Sequence, residues 1–92
     1  MKVIHKYHLS AVGYQSIAMP KGAKVLSAQV QNGEIFVWAE VDTDEDNELR
    51  DFKLIGTGHE IISSNLRFID TVQLSSGQLI LHVHEVLQDD AK

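Results

Sequence analysis

The chain has 92 residues, 43% of them hydrophobic, no cysteine and a formal net charge of −5. That length holds one domain with one modest core, the missing thiols exclude disulfides and thiolate metal sites, and the acidic balance excludes wholesale binding to duplex nucleic acid, which needs a basic face. No apolar run is long enough to span a bilayer and the start, MKVIHKYHLS, lacks the apolar core of a signal peptide, so the expectation is a single cytoplasmic domain over residues 1–92, held by packing alone or by partner subunits.

The elements read as short strands separated by turns. Lys2 to Leu9 alternates, with Val3, His5, Tyr7 and Leu9 on one face and Ile4, Lys6 and His8 on the other. Tyr14 to Met19 is a second strand, closed by a turn at Pro20-Lys21-Gly22. Proline presets one backbone angle there and glycine accepts a positive one. VLSAQVQ and EIFVWAEV follow, joined by Asn32-Gly33. A two-residue Asn-Gly loop fits a type I′ turn, whose twist matches paired antiparallel strands. In the first strand of this hairpin Leu26, Ala28 and Val30 point one way, and Ser27, Gln29 and Gln31 the other. The second strand is apolar on both faces: Ile35, Val37, Ala39 and Val41 on one, Phe36 and Trp38 on the other. A wet sheet face does not ordinarily carry phenylalanine and tryptophan. A second layer, another subunit or a stacked ligand would each account for them.

Residues 42–49 form an acidic loop, DTDEDNE followed by Leu49. Asp42, Asp44 and Asp46 alternate like the opening of a calcium loop, but Asn47 stands where the turn glycine belongs and Lys53 where the bidentate glutamate belongs, so the loop reads as solvated. Arg50 to Ile55 is the next strand, with Phe52 and Leu54 inward. It runs into Gly56-Thr57-Gly58-His59 and a turn at Ser63-Ser64-Asn65. Leu66 to Leu74 alternates, with Leu66, Phe68, Asp70, Val72 and Leu74 opposite Arg67, Ile69, Thr71 and Gln73. After a turn at Ser75-Ser76-Gly77, the strand Gln78 to Leu87 sets Leu79, Leu81, Val83 and Glu85 against Ile80, His82, His84 and Val86. The tail, residues 88–92, is expected to fray. Six to seven short strands without a long helical pattern predict an all-β domain, a small antiparallel β-sandwich or partly closed barrel.

The chemistry concentrates in a few places. Gly56-Thr57-Gly58-His59 is too short for a Walker loop and lacks the third glycine and following helix of a dinucleotide fingerprint, so no cofactor is expected. Its glycines permit a bend at the strand end, and they bare backbone N–H groups that could hold a small anion. His82 and His84, two apart on a strand, share a face at about 7 Å. With His59 from a neighbouring strand they would suit zinc with an open fourth position, which makes a metal-dependent hydrolase one alternative. No serine sits on a nucleophile elbow, and Glu60 and Glu85 merely lie near histidines in the sequence. Gln29, Gln31, Arg67, Thr71 and Gln73 project from strand faces, and beside Trp38 they compose either an ordinary wet sheet face or a recognition surface. Amides and hydroxyls read polar edges, arginine takes an anion, and indole stacks on a ring.

The run P-K-G-A-K-V-L-S-A-Q-V-Q-N-G ending at Gly33, the Trp38-Ala39 pair, Gly56 to His59 and Thr71-Val72-Gln73 together resemble a family of short single-domain proteins encoded by phages and prophages. The resemblance extends over nearly the whole chain, although relatives often have a compact acidic turn where this chain has DTDEDNE. It implies a viral protein acting in the bacterial host cytoplasm and brings no agreed activity and no catalytic residues. Small phage proteins of this kind often blunt host defence, some by sequestering nucleotide signals as oligomers, others by plugging a host enzyme. The expected function is therefore a non-enzymatic, homo-oligomeric binding protein. Its nucleotide-like ligand would sit among Trp38, Gly56, Thr57, Gly58, His59, Arg67, Thr71 and Gln73, at a subunit interface. Direct inhibition of a host defence protein is the alternative.

Overall fold

A computed structural model describes residues 1–87; the expected frayed tail lies outside the described residues. Seven strands form two antiparallel sheets: β1 (Lys2–Leu9), β2 (Tyr14–Pro20), β3 (Lys24–Gln31), β4 (Glu34–Asp42), β5 (Asn47–Gly56), β6 (Leu66–Leu74) and β7 (Leu79–Val86). One sheet has the order β1-β4-β3 and the other β2-β5-β7-β6. The only helical segment among the described residues is a 3₁₀ turn at Ser75–Gly77. The two sheets lie face to face as a sandwich and share no ladder, so the barrel is not closed. On one side β3 packs across to β6, where the Ala28 N–H donates to Asp70 Oδ2 at 3.3 Å.

The core is made by the inner faces that alternation predicts. Val37, Ala39 and Val41 of β4 meet Phe52 and Leu54 of β5, Val83 of β7 and Met19 of β2, all buried. The β3–β4 hairpin turns at Asn32 and Gly33 with φ of 53° and 79°, the two positive angles a type I′ turn requires.

Three details depart from simple alternation. A bulge between Val25 and Ser27 breaks the β3–β4 register, so Val25 rather than Leu26 joins Ala28 in the core, and Leu26 stays 43% exposed. A second bulge between Phe68 and Asp70 in β6 exchanges the sides of the residues that precede it. The acidic loop is also shorter than the 42–49 expected, because Asp42 ends β4 and Asn47 already begins β5. Its carboxylates are partly engaged: Asp42 Oδ1 and Asp44 Oδ2 meet the Met1 ammonium at 3.1 and 3.0 Å. The hydrogen bonds from the Asp44 N–H and from that ammonium hold the Asp42 carboxyl below its ordinary range. The two carboxylates hold the ammonium above its own.

Burial separates two variants. Phe52→Ala removes the largest fully buried side chain and should cost about 3–5 kcal/mol. Leu26→Ala, at the bulge, should change stability by less than about 0.5 kcal/mol in denaturant unfolding.

Candidate functional site

The β5 strand ends in a tight turn whose two glycines have separate tasks. The His59 N–H donates to the Gly56 carbonyl at 3.1 Å, and Gly58 takes φ of +87°, where a side chain would be strained. Gly56 instead makes room. The imidazole of His59 folds back over it, and a Cβ at position 56 would stand 3.2 Å from two ring atoms. The chain then runs irregularly from Gly58 to Asn65. Lys53 Nζ donates to Ser63 Oγ at 3.2 Å within this stretch.

Beneath this loop lies the outer face of the β2-β5-β7-β6 sheet. The β7 strand contributes His82 and His84, paired in register with Thr71 and Phe68 of β6. His82 joins three elements. Its Nε2 lies 2.7 Å from Thr57 Oγ1 on the turn and its Nδ1 2.9 Å from Thr71 Oγ1 on β6. Thus one threonine hydroxyl ties the turn to the sheet through an imidazole whose other nitrogen is held by a second hydroxyl. His84 Nδ1 donates to the His82 carbonyl at 3.0 Å, since that oxygen can only accept. Phe68 packs edge-on against His84, with centroids 5.5 Å apart.

Two clefts open on either side of His59. The first, of about 370 Å³, runs between Val12 and Gly13 of the β1–β2 connection, the turn at Gly56 and Thr57, and Leu79 to Leu81. The second, of about 350 Å³, is walled by Ile55, Ile61 and Phe68 and by His59, His82 and His84. Both are open grooves of small-molecule volume; the lining is mixed in the first and chiefly apolar in the second. Among the described residues, neither is lined by lysine or arginine.

The residues expected to act together are divided by the fold. Gly56, Thr57, Gly58 and His59 form the ridge between the clefts, and Thr71 reaches them through His82. Gln73 is one strand away, paired with Ile80, which lines the first cleft. Trp38 lies on the other sheet, paired with Lys6 and Ser27 on its outer face. Arg67 is turned away by the β6 bulge. It pairs with Glu85 on the inner face, where Arg67 Nη2 donates to Glu85 Oε1 at 2.9 Å. Arg50 Nε donates to Glu85 Oε2 at 2.5 Å, and Arg50 Nη1 to the Ala23 carbonyl at 2.8 Å. A nearly buried glutamate thus bridges two arginines in the sandwich. Alternation does place Glu85 beside Leu81 and Val83; its arginine partners become visible only with the register. Phe68 and Ile61 were not identifiable as cleft residues, because unbroken alternation assigns Phe68 inward and nothing local folds Ile61 back onto the sheet.

The zinc alternative fares poorly on donor geometry. His59, His82 and His84 do line one cleft. Both His82 nitrogens, however, face hydroxyls, and Nδ1 of His84 is committed to a carbonyl. No group of three or more His, Asp or Glu side chains among the described residues is placed to hold a metal ion. The histidines wall the cleft and orient its hydroxyls.

Two substitutions test this geometry. Gly56→Ala should displace the His59 ring, at about 1–3 kcal/mol of stability, with the His59 imidazole resonances shifting most. Glu85→Ala strands two arginines, one of them largely buried, and should cost about 3–5 kcal/mol in denaturant unfolding.

No helix among the described residues is long and apolar enough to cross a membrane. No curated protein and no solved structure matches the chain. A family model described as Domain of unknown function (DUF7352) matches residues 1–92, and the chain belongs to that family.

Proposed function

We propose that the protein is a non-enzymatic binding module that takes a ring-bearing, nucleotide-like ligand in the clefts flanking His59. In this reading it serves a phage as an oligomeric sequestering agent against a host defence signal in the bacterial cytoplasm. The supporting observation is the pair of clefts that share the His59 imidazole as a wall, the second also lined by His82 and His84. The absence of a cationic lining means that recognition falls on the base end of the ligand, with phosphate left toward solvent. A hydrolytic role is disfavoured by the Thr57–His82 contact itself, because the second imidazole nitrogen meets a neutral hydroxyl and not a carboxylate that would stabilise a charged base. Isothermal titration against cyclic and linear nucleotides should give saturable binding by at least one, weakened about tenfold, or 1.4 kcal/mol, by Gly56→Ala. Silence across the panel overturns the nucleotide reading.

A second reading, direct inhibition of a host protein, is favoured by the apolar rim of the same face. Ile61, Ile62 and Phe68 are 59%, 77% and 56% exposed. If this rim docks a host protein, Ile62→Asp should abolish a stoichiometric complex isolated from host lysate. Retention by the variant removes the rim from consideration.

A further inference from the structure

The outer face of the β1-β4-β3 sheet carries two unlike columns side by side. On the edge strand β1 stand Lys2, Lys6 and His8. Opposite them on the central strand β4 stand Asp42, Trp38 and Phe36, in the register Lys2↔Asp42, Lys6↔Trp38 and His8↔Phe36. One column is basic apart from Ile4; the other is acidic at both ends, with Glu34 at one and Glu40 and Asp42 at the other, and aromatic in its middle. Between Lys2 and Lys6, Ile4 is 60% exposed opposite Glu40. Within one chain the face already uses these attractions sideways. Lys6 Nζ lies 4.5 Å from the Phe36 centroid and donates to Gln31 Oε1 at 2.8 Å, and the His8 ring meets Phe36 edge-on at 5.5 Å while its Nε2 faces Glu34 Oε1. Phe36 and Trp38 pack against each other but keep part of their surface bare. Nothing from the other sheet covers this side.

Such a pair of columns is complementary to itself. A two-fold axis parallel to the strands, placed between β1 and β4, lays β1 of one copy over β4 of the other and the reverse. Each contact then occurs twice, as an isologous interface requires. Lys2 meets Asp42, Lys6 meets the Trp38 face, and His8 meets Phe36, so charge falls on opposite charge and cation on aromatic ring. The same operation sets Ile4 over Glu40, whereas an axis along β4 would stack Glu40 on Glu40. We propose that this face is a self-association surface whose occupant is a second copy of the chain, aligned through the β1 and β4 columns. The proposal deepens the oligomer element of the function proposed above. The strip is roughly 10 Å by 26 Å from strand spacing and rise, so the pair buries on the order of 500 Å² in total. That is the size of a weak, reversible and salt-sensitive contact, not of a permanent dimer.

Sedimentation equilibrium over a wide concentration range, with the fluorescence of the single tryptophan, Trp38, read in parallel, tests this. The average mass should rise above the 10.3 kDa chain with concentration, the emission should shift to the blue, and added salt should reverse both. The variant with Lys2→Glu and Lys6→Glu, and separately the variant with Glu40→Lys and Asp42→Lys, should each lose about tenfold or more in association. Mixed together, they should form a heterodimer that neither forms alone. Circular dichroism of each variant confirms the fold, and recovery in the mixture is itself incompatible with misfolding. A chain that stays monomeric at every concentration overturns the proposal, as does a dimer indifferent to these charge reversals. The second cleft lies on the opposite sheet and the first beside the β1–β2 connection, both away from the β1 and β4 columns, so ligand titration can succeed or fail independently of this result.

Discussion

Between Phe68 and Asp70 the β6 strand carries one residue more than its β7 partner, and the chemistry on both sides of the four-stranded sheet depends on that insertion. A bulge opposes two residues to one and so exchanges the faces of everything on one side of it. Ile69 takes the extra place and packs against the core. Because of it, Arg67 turns inward to bridge Glu85, while Phe68 turns outward onto His84. Without the insertion the two would exchange faces: an arginine would stand among the histidines, a phenylalanine would enter the sandwich, and Glu85 would lose one of its two cations. The bulge therefore satisfies a buried carboxylate and removes the guanidinium from the cleft. That is why the cleft presents aromatic and imidazole surface where a phosphate site would present charge.

The same bulge marks where the sequence stops being legible. Strand existence, the Asn32-Gly33 hairpin and the inner faces of β4, β5 and β7 follow from period-two alternation and turn chemistry, and the structure has them. Alternation counts residues, however, and cannot detect an unpaired one. It therefore misassigned Leu26 in β3 and Arg67 in β6, each adjoining a bulge. The glycines of Gly56 to His59 were legible as a bend, but not the reason for the first of them. Only the folded-back ring of His59 shows that position 56 lacks a side chain in order to admit another one. Likewise Thr57 and Thr71 carry no local sign of relatedness. They become partners through His82, which sits between them only once β5, β7 and β6 are ordered side by side.

Within one chain, Trp38 and the glycine turn are kept apart for a topological reason. Trp38 belongs to the sheet β1-β4-β3, and the turn extends from β5 in the other sheet. Both present outer faces, and the hydrophobic core lies between them. No side-chain rearrangement brings them together within one chain. The apolar excess that made a partner plausible is real, yet it is split. Phe36, Trp38 and Ile4 form one patch, and Ile61, Ile62 and Phe68 form another on the far side.

This division separates the two kinds of association that the sequence tied together. A ligand pocket shared between subunits would require the copies to meet over the clefts, where the irregular loop from Gly58 to Asn65 interrupts the sheet face. The opposite sheet has a regular three-stranded face with its basic and acidic-aromatic columns in fixed register, the geometry a two-fold contact can use. Pairing there would leave both sets of clefts pointing outward, one on each end of a four-layer stack. A dimer so built gains valency for a ligand or protein partner without burying the site that recognises it, and its two sites are related by symmetry rather than by a shared wall. Assembly and recognition then vary independently, because a substitution on one outer face acts on the other only through the common core.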